Sequence, residues 1–480
     1  MKMAPLQSLQ LRLKMFKRTS LTAAPLALAM ILSGCMSLAP TYQRPAAPVA
    51  ASYPVASAAV VQATAQAAAS IAWQQFFADA RLKQLIGLAL ENNRDLRVAI
   101  LNIEQARAQY QIRRADGLPT VGLGVAGSRT PGPDDSTSSS YSAGLAISSY
   151  ELDLFGRVRN LSQVALAQFL ATDEARKATH ISLVASVANT YLATLADDEL
   201  LTLTQRTLDA RLESLKLIQL KYDNGVVSKL DLQQGLSLVD SARATLAQLQ
   251  RQRAQDNNLL ILLVGQPLPA KLAPGATLAT TALSELPAGL PSDLLTVRPD
   301  IRAAEQQLMG ANANIGAARA AFFPRITLTG SAGSASTELS GLFKGGSFGW
   351  SFAPQLVLPI FDHGRNTANL GSALAGRDIA VAQYEQAIQS AFREVSDALV
   401  GQATFGEQLR AQRAVAAAEA ERFTLSQLRY REGVSSYLDL LDAQRSLFIA
   451  QQGAVQANLQ RLQNQVNLYR VLGGGWTATP

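Results

Sequence analysis

Few residues in this chain could do chemistry. Of 480 residues two are histidines, His180 and His363, and one is a cysteine, Cys35. No phosphate loop, metal-ligand cluster or nucleophile motif accompanies them. Each histidine therefore reads as a surface or packing residue; no enzyme, cofactor or metal is expected. The more telling candidates are carboxylates beside two similar turns. One is Tyr222-Asp-Asn-Gly-Val-Val-Ser-Lys-Leu-Asp231, the other Tyr430-Arg-Glu-Gly-Val-Ser-Ser-Tyr-Leu-Asp439. Gly225 and Gly433 can take the left-handed conformation that closes a helix. Ser228 and Ser436 suit an N-cap, and Asp231 and Asp439, three residues on, complete capping boxes. Capping accounts for those two aspartates but not for Asp442, whose counterpart in the first turn is Gln234. Asp442 falls one turn after Leu438, on the same helical face. Repeated around an axis, this pair would narrow an opening with leucines, and its carboxylates would favour cations over anions.

Cys35 has a different context. Residues 1–34 hold Lys2, Arg12, Lys14, Lys17 and Arg18 and no acid, five of the chain's seven net positive charges. An apolar run from Leu21 to Leu32 follows. This is the pattern of a secretory signal, too short to span a membrane and interrupted by Pro25. Leu32-Ser-Gly-Cys35 has the form of a bacterial lipobox, in which Cys35 becomes the acylated first residue. An incidental cysteine at a signal end is the plain alternative. With one cysteine no intramolecular disulfide can form. The remainder is nearly neutral and has no basic stripe for nucleic acid.

The elements that must position these residues follow from periodicity. Helical patterns run into and out of each turn, so each turn is the tip of a long antiparallel hairpin. The helix entering each tip is roughly 100 Å long at 1.5 Å per residue. Ahead of each hairpin lie two stretches with the period of a strand. Val121, Leu123 and Val125 alternate with small residues, then Tyr141, Ala143, Leu145 and Ile147 share a face. In the second half the equivalents are Ile326 and Leu328, then Phe348, Trp350 and Phe352. A helix precedes each strand pair, over about 79–116 and 299–321. Arg94-Asp-Leu-Arg97 parallels Pro299-Asp-Ile-Arg302, and Gly225 and Gly265 parallel Gly433 and Gly473. An internal duplication explains this order. The domain reading is a signal at 1–34, an anchored extended tether at 35–72 and a first repeat at 73–265. A loose linker at 266–297, a second repeat at 298–473 and a tail at 474–480 complete it.

Strands of about ten residues can cross a bilayer when tilted. Four are too few to close a barrel, and an open edge in lipid leaves backbone groups unpaired. Three copies would give twelve strands, with Gly122, Gly124 and Ala126 toward the lumen. A soluble four-stranded sheet, a fibrous coiled coil and a periplasm-spanning strut are the plainer alternatives; conductance separates channel from strut.

Longer motifs add a resemblance. They are Tyr150-Glu-Leu-Asp-Leu-Phe-Gly-Arg157, Arg298-Pro-Asp-Ile-Arg-Ala-Ala-Glu305, Ala321-Phe-Phe-Pro-Arg-Ile-Thr-Leu328, Leu358-Pro-Ile-Phe-Asp-His-Gly-Arg365 and Val466-Asn-Leu-Tyr-Arg-Val-Leu-Gly-Gly-Gly-Trp476. With the second tip, they make the chain resemble TolC-type outer-membrane efflux factors of the OprM/NodT-like lipoprotein branch. His363 departs from that pattern, where a small residue is expected. The resemblance implies an α+β membrane protein: a trimeric 12-stranded β-barrel, four strands per chain, continued by a long α-helical barrel. It implies a homotrimer in the outer membrane, lipid-anchored, working with a periplasmic adaptor (membrane fusion) protein and an inner-membrane pump of the resistance-nodulation-division type. Leu438 and Asp442 match the family's periplasmic constriction. Gly225, Val226, Ser228, Leu230 and Asp231, with Gly433, Val434, Ser436, Tyr437 and Asp439, would be the exposed tips that meet the adaptor. Drug efflux is the expected task; type I protein secretion and metal efflux are the rivals.

Overall fold

The computed structural model describes residues 37–53, 70–132, 136–284, 286 and 293–476. The signal, Cys35, residues 54–69 of the tether and residues 477–480 of the tail lie outside them. The longer elements are α1 (Ala80–Asn92), α2 (Arg94–Ala115), β1 (Val121–Pro131), β2 (Thr137–Leu152), α3 (Arg157–Asp223) and α4 (Lys229–Val264). Then come α5 (Pro299–Ala320), β3 (Arg325–Ser336), β4 (Phe348–Val357), α6 (Arg365–Arg431) and α7 (Tyr437–Val471). The order α2-β1-β2-α3-α4 recurs as α5-β3-β4-α6-α7. The chain forms two compact units that cut across this repeat. One comprises residues 1–46, 103–172 and 304–384, the other 47–102, 173–303 and 385–480.

The first unit holds the sheet. Its strands run antiparallel in the order β1-β2-β3-β4. Register sorts the side chains onto two faces, because successive residues point opposite ways. One face carries Val121, Leu123 and Val125, Leu145 and Ile147, and Phe348, Trp350 and Phe352. It is open: Leu123 is 79% exposed and Trp350 77%. The other face carries Gly122, Gly124, Gly144, Ser331, Gly333 and Ser351. Gly144 and Gly333 are directly paired, so close that a Cβ on either would lie within 2.5 Å of the opposite backbone.

Strand β2 carries a bulge. Ile147 pairs with Gly330 and Tyr150 with Leu328, so three steps on β2 match two on β3. Ser149 absorbs the extra residue at φ +55°, a left-handed conformation uncommon outside glycine. The bulge puts Tyr150 and Leu152 on the apolar face and turns Glu151 to the other. There Glu151 accepts two hydrogen bonds from Arg157, at 2.8 and 2.6 Å, and pairs with Arg325 at 2.7 Å. The same conformation explains the histidine at the second strand-to-helix bend. His363 sits at φ +54° and Gly364 at +83°, while the Asp362 carboxylate accepts from the amides of Gly364 and Asn366.

A strap crosses the first unit. Arg319 donates to the Leu38 carbonyl and Asn312 to that of Pro40. Tyr42 and Arg44 both donate to the Glu305 carboxylate, which is 6% exposed. Ser37 donates to Asn160 in the first turn of α3. Six extended steps from Leu38 to Arg44 cover about 20 Å, and the helix from Arg319 back to Glu305 about 21 Å. Within the stretch read as a loose tether, residues 37–44 are extended and bound along α5.

Two local readings change in the second unit. The single helix expected over 79–116 breaks at Asn93, whose backbone is extended (ψ 132°). Asn93 caps α2 by accepting from the Leu96 amide and donates to the Leu263 carbonyl at the end of α4. In the second repeat Arg298 does the equivalent, donating to the Val471 carbonyl at the end of α7. The linker is also less loose than expected. Ala273 bonds to Gln84, Ala276 to Asp79 and Ser284 to the Phe76 carbonyl, and a short helix spans Leu294–Val297. The core here stacks Phe76 on Tyr469, with ring centroids 4.0 Å apart. His180 is a packing residue, edge-on to Trp476 at 5.0 Å, with burial pushing its pKa down to about 4.

Candidate functional site

Both hairpin tips lie in the second unit and close identically. Gly225 and Gly433 have φ of +69° and +73°. The Val226 amide reaches back to the Lys221 carbonyl and the Val434 amide to that of Arg429, each at 2.8 Å, the six-to-one bond of a Schellman turn. Ser228 and Ser436 then start α4 and α7 with complete capping boxes through Asp231 and Asp439. Both aspartates are therefore occupied structurally.

Beneath the turns the two hairpins share one apolar core. Ile218, Leu232 and Leu238 of the first pack with Tyr437, Leu440 and Leu441 of the second. Lys221 donates to the Tyr430 hydroxyl at 3.2 Å and lies 4.7 Å from the centre of its ring. Tyr437, expected at the exposed tip, is 6% exposed and belongs to this core. Its position at the start of α7 turns the aromatic side chain inward beside Leu440 and Leu441. Val226, Leu230 and Val434 are exposed as expected.

Leu438 and Asp442 point away from that core; Leu438 is 56% exposed. The Asp442 carboxylate meets the Arg422 guanidinium of α6 at 2.5 Å, and Arg422 also pairs with Glu419 at 3.1 Å. Sequence reasoning missed Arg422, yet the signal was there. Its counterpart in the first repeat is Ser214, as that of Asp442 is Gln234, so the ion pair is private to the second hairpin. Among the described residues no group of three or more histidine, cysteine or acidic side chains could hold a metal ion.

A family model described as outer membrane efflux protein matches residues 85–266 and 290–474. The chain belongs to the outer membrane efflux protein family. It is 48% identical over 464 residues to the toluene efflux pump outer membrane protein TtgI of Pseudomonas putida, covering 95% of this chain and 98% of that one. It is 46% identical over 468 residues to the outer membrane protein OprJ of Pseudomonas aeruginosa, covering 96% and 97%. Among solved structures, the open state of the Neisseria gonorrhoeae MtrE outer membrane channel superposes with a TM-score of 0.84 at 42% identity. It covers 92% of this chain and 98% of that one. This outer membrane efflux protein therefore has the α+β channel fold expected from its sequence, with four strands per chain and long helices.

Proposed function

We propose that three copies of this chain close a twelve-stranded barrel and act as the passive exit duct of a tripartite pump. One observation carries the reading: the four-stranded sheet leaves β1 and β4 with only one partner strand each, and its apolar face is open. Lipid does not tolerate the unpaired edges and water disfavours so large an open apolar face, whereas joining β4 of one copy to β1 of the next in a membrane satisfies both. Leu438 and Asp442 then form the periplasmic gate. The Val226 and Val434 tips meet a periplasmic adaptor, which links the duct to an inner-membrane pump. Relatives named for toluene and antibiotic efflux support a cargo of drugs and other small organic molecules. The strap supports acyl anchoring at Cys35, because two residues beyond Ser37 reach at most about 7 Å. The acyl chains would enter lipid at the strand-to-helix level. Native mass and single-channel recording of the purified full-length chain test this: a trimer with discrete conductance is expected, and a monomer or a silent bilayer refutes it.

A further inference from the structure

The first unit has a basic groove beside the capped start of α3. It lies between the C-terminal turn of α2 and the N-terminal turns of α3, has a volume of about 350 Å³, and is lined by Tyr110, Arg113, Arg114, Arg159, Ser162 and Gln163. Arg113 and Arg114 stand there beside one carboxylate, Asp153, whose two oxygens already accept from the amides of Val158 and Arg159. Arg113 shares a 3.4 Å contact with Asp116, and Arg114 makes no ion pair among the described residues. The groove continues along α2 and α3 as an apolar wall, where Tyr110 stacks on Phe169 at 6.4 Å and Arg107 lies 5.5 Å over the same ring.

Its position relative to the sheet decides what it can bind. Tyr150, on the apolar face, donates to the Gly117 carbonyl two residues past the end of α2. Leu118, next in the chain, is 70% exposed. The arginines thus sit where the lipid-facing surface ends, at the depth of headgroups. A guanidinium fork matches a phosphate in charge and geometry, and basic pockets at such levels hold anionic lipid headgroups. We propose that this groove seats the phosphate of an anionic phospholipid from the periplasmic leaflet. The inference rests on the membrane reading of the sheet.

The test uses the full-length protein in neutral detergent, titrated with phosphatidylglycerol while bound lipid is counted by native mass spectrometry. Phosphatidylglycerol should bind and raise the Tm; phosphatidylcholine should do neither. The double variant Arg113→Gln/Arg114→Gln should bind it roughly thirtyfold more weakly. Both side chains are exposed, so the core is spared, and the conductance of the variant in phosphatidylcholine bilayers should match that of the parent. Equal phosphatidylglycerol affinity in parent and variant overturns the proposal. So does the same stabilisation by inorganic phosphate alone. Loss of conductance in the parent would instead sink the channel reading.

Discussion

Arg422 and Asp442 form a bridge that a single substitution can open. Both side chains are about half exposed, so water and salt screen the bridge and one lost partner is enough to break it. With the gate proposed at Leu438 and Asp442, Arg422→Ala or Asp442→Ala should each raise the mean single-channel current. The double variant should go no further than either single one, because both remove the same interaction. Salt should move the parent toward the variants. Additive effects in the double variant would argue that Asp442 acts on its own. Comparing the two repeats made Asp442 legible in the sequence, while Arg422 stayed hidden twenty residues away on another helix. The misfit of His363 was legible; its cause, a left-handed backbone, needed coordinates.

At the scale of elements, the long helices were readable from period and caps, and the strands from alternation. The break at Asn93 was not, because its cause is a hydrogen bond to a carbonyl 170 residues away. Nor was a carboxyl pair between α3 and α4. Asp197 is buried against Asp256, and burial first, then the hydrogen bond its protonated carboxyl donates to Asp256, pushes its pKa up to about 7. Arg253 lies near but pairs with Asp198 at 2.9 Å. The folded state thus holds a proton that an unfolded aspartate releases near pH 4. Stability should fall as pH rises from about 4 to 7, by at most about 1.4 kcal/mol per unit for this group, and level off above. Asp197→Asn should flatten that slope. Thermal melts from pH 4.5 to 8 measure it, and an unchanged slope in the variant would remove the pair from the account. The strap makes a second case. Arg44→Ala leaves the buried Glu305 carboxylate with only the Tyr42 hydroxyl, and should cost about 1–3 kcal/mol. Adding Glu305→Gln should restore part of the lost Tm.

For the molecule as a whole, two exposed valines face whatever lies beyond the tips. A charge there leaves the shared core of Ile218, Leu232 and Tyr437 untouched. Val434→Asp should abolish efflux in cells while trimer and conductance persist. Normal drug resistance in that variant would exclude docking at this tip. The sheet imposes one further condition, through Ser149. Each transmembrane strand is read in a two-letter frame, one residue to lipid and the next to lumen, and β2 shifts frame once. The left-handed serine suppresses that shift, as a compensating mutation does in a coding sequence. Sequence drift in the barrel is therefore quantised: deleting Ser148 or Ser149 restores a regular strand with Glu151 still turned from the apolar face, whereas one residue lost from a regular stretch of β2 turns every side chain on one side of the loss to the opposite face. The strands of this sheet can change length by twos, or by ones only where a bulge absorbs the odd residue.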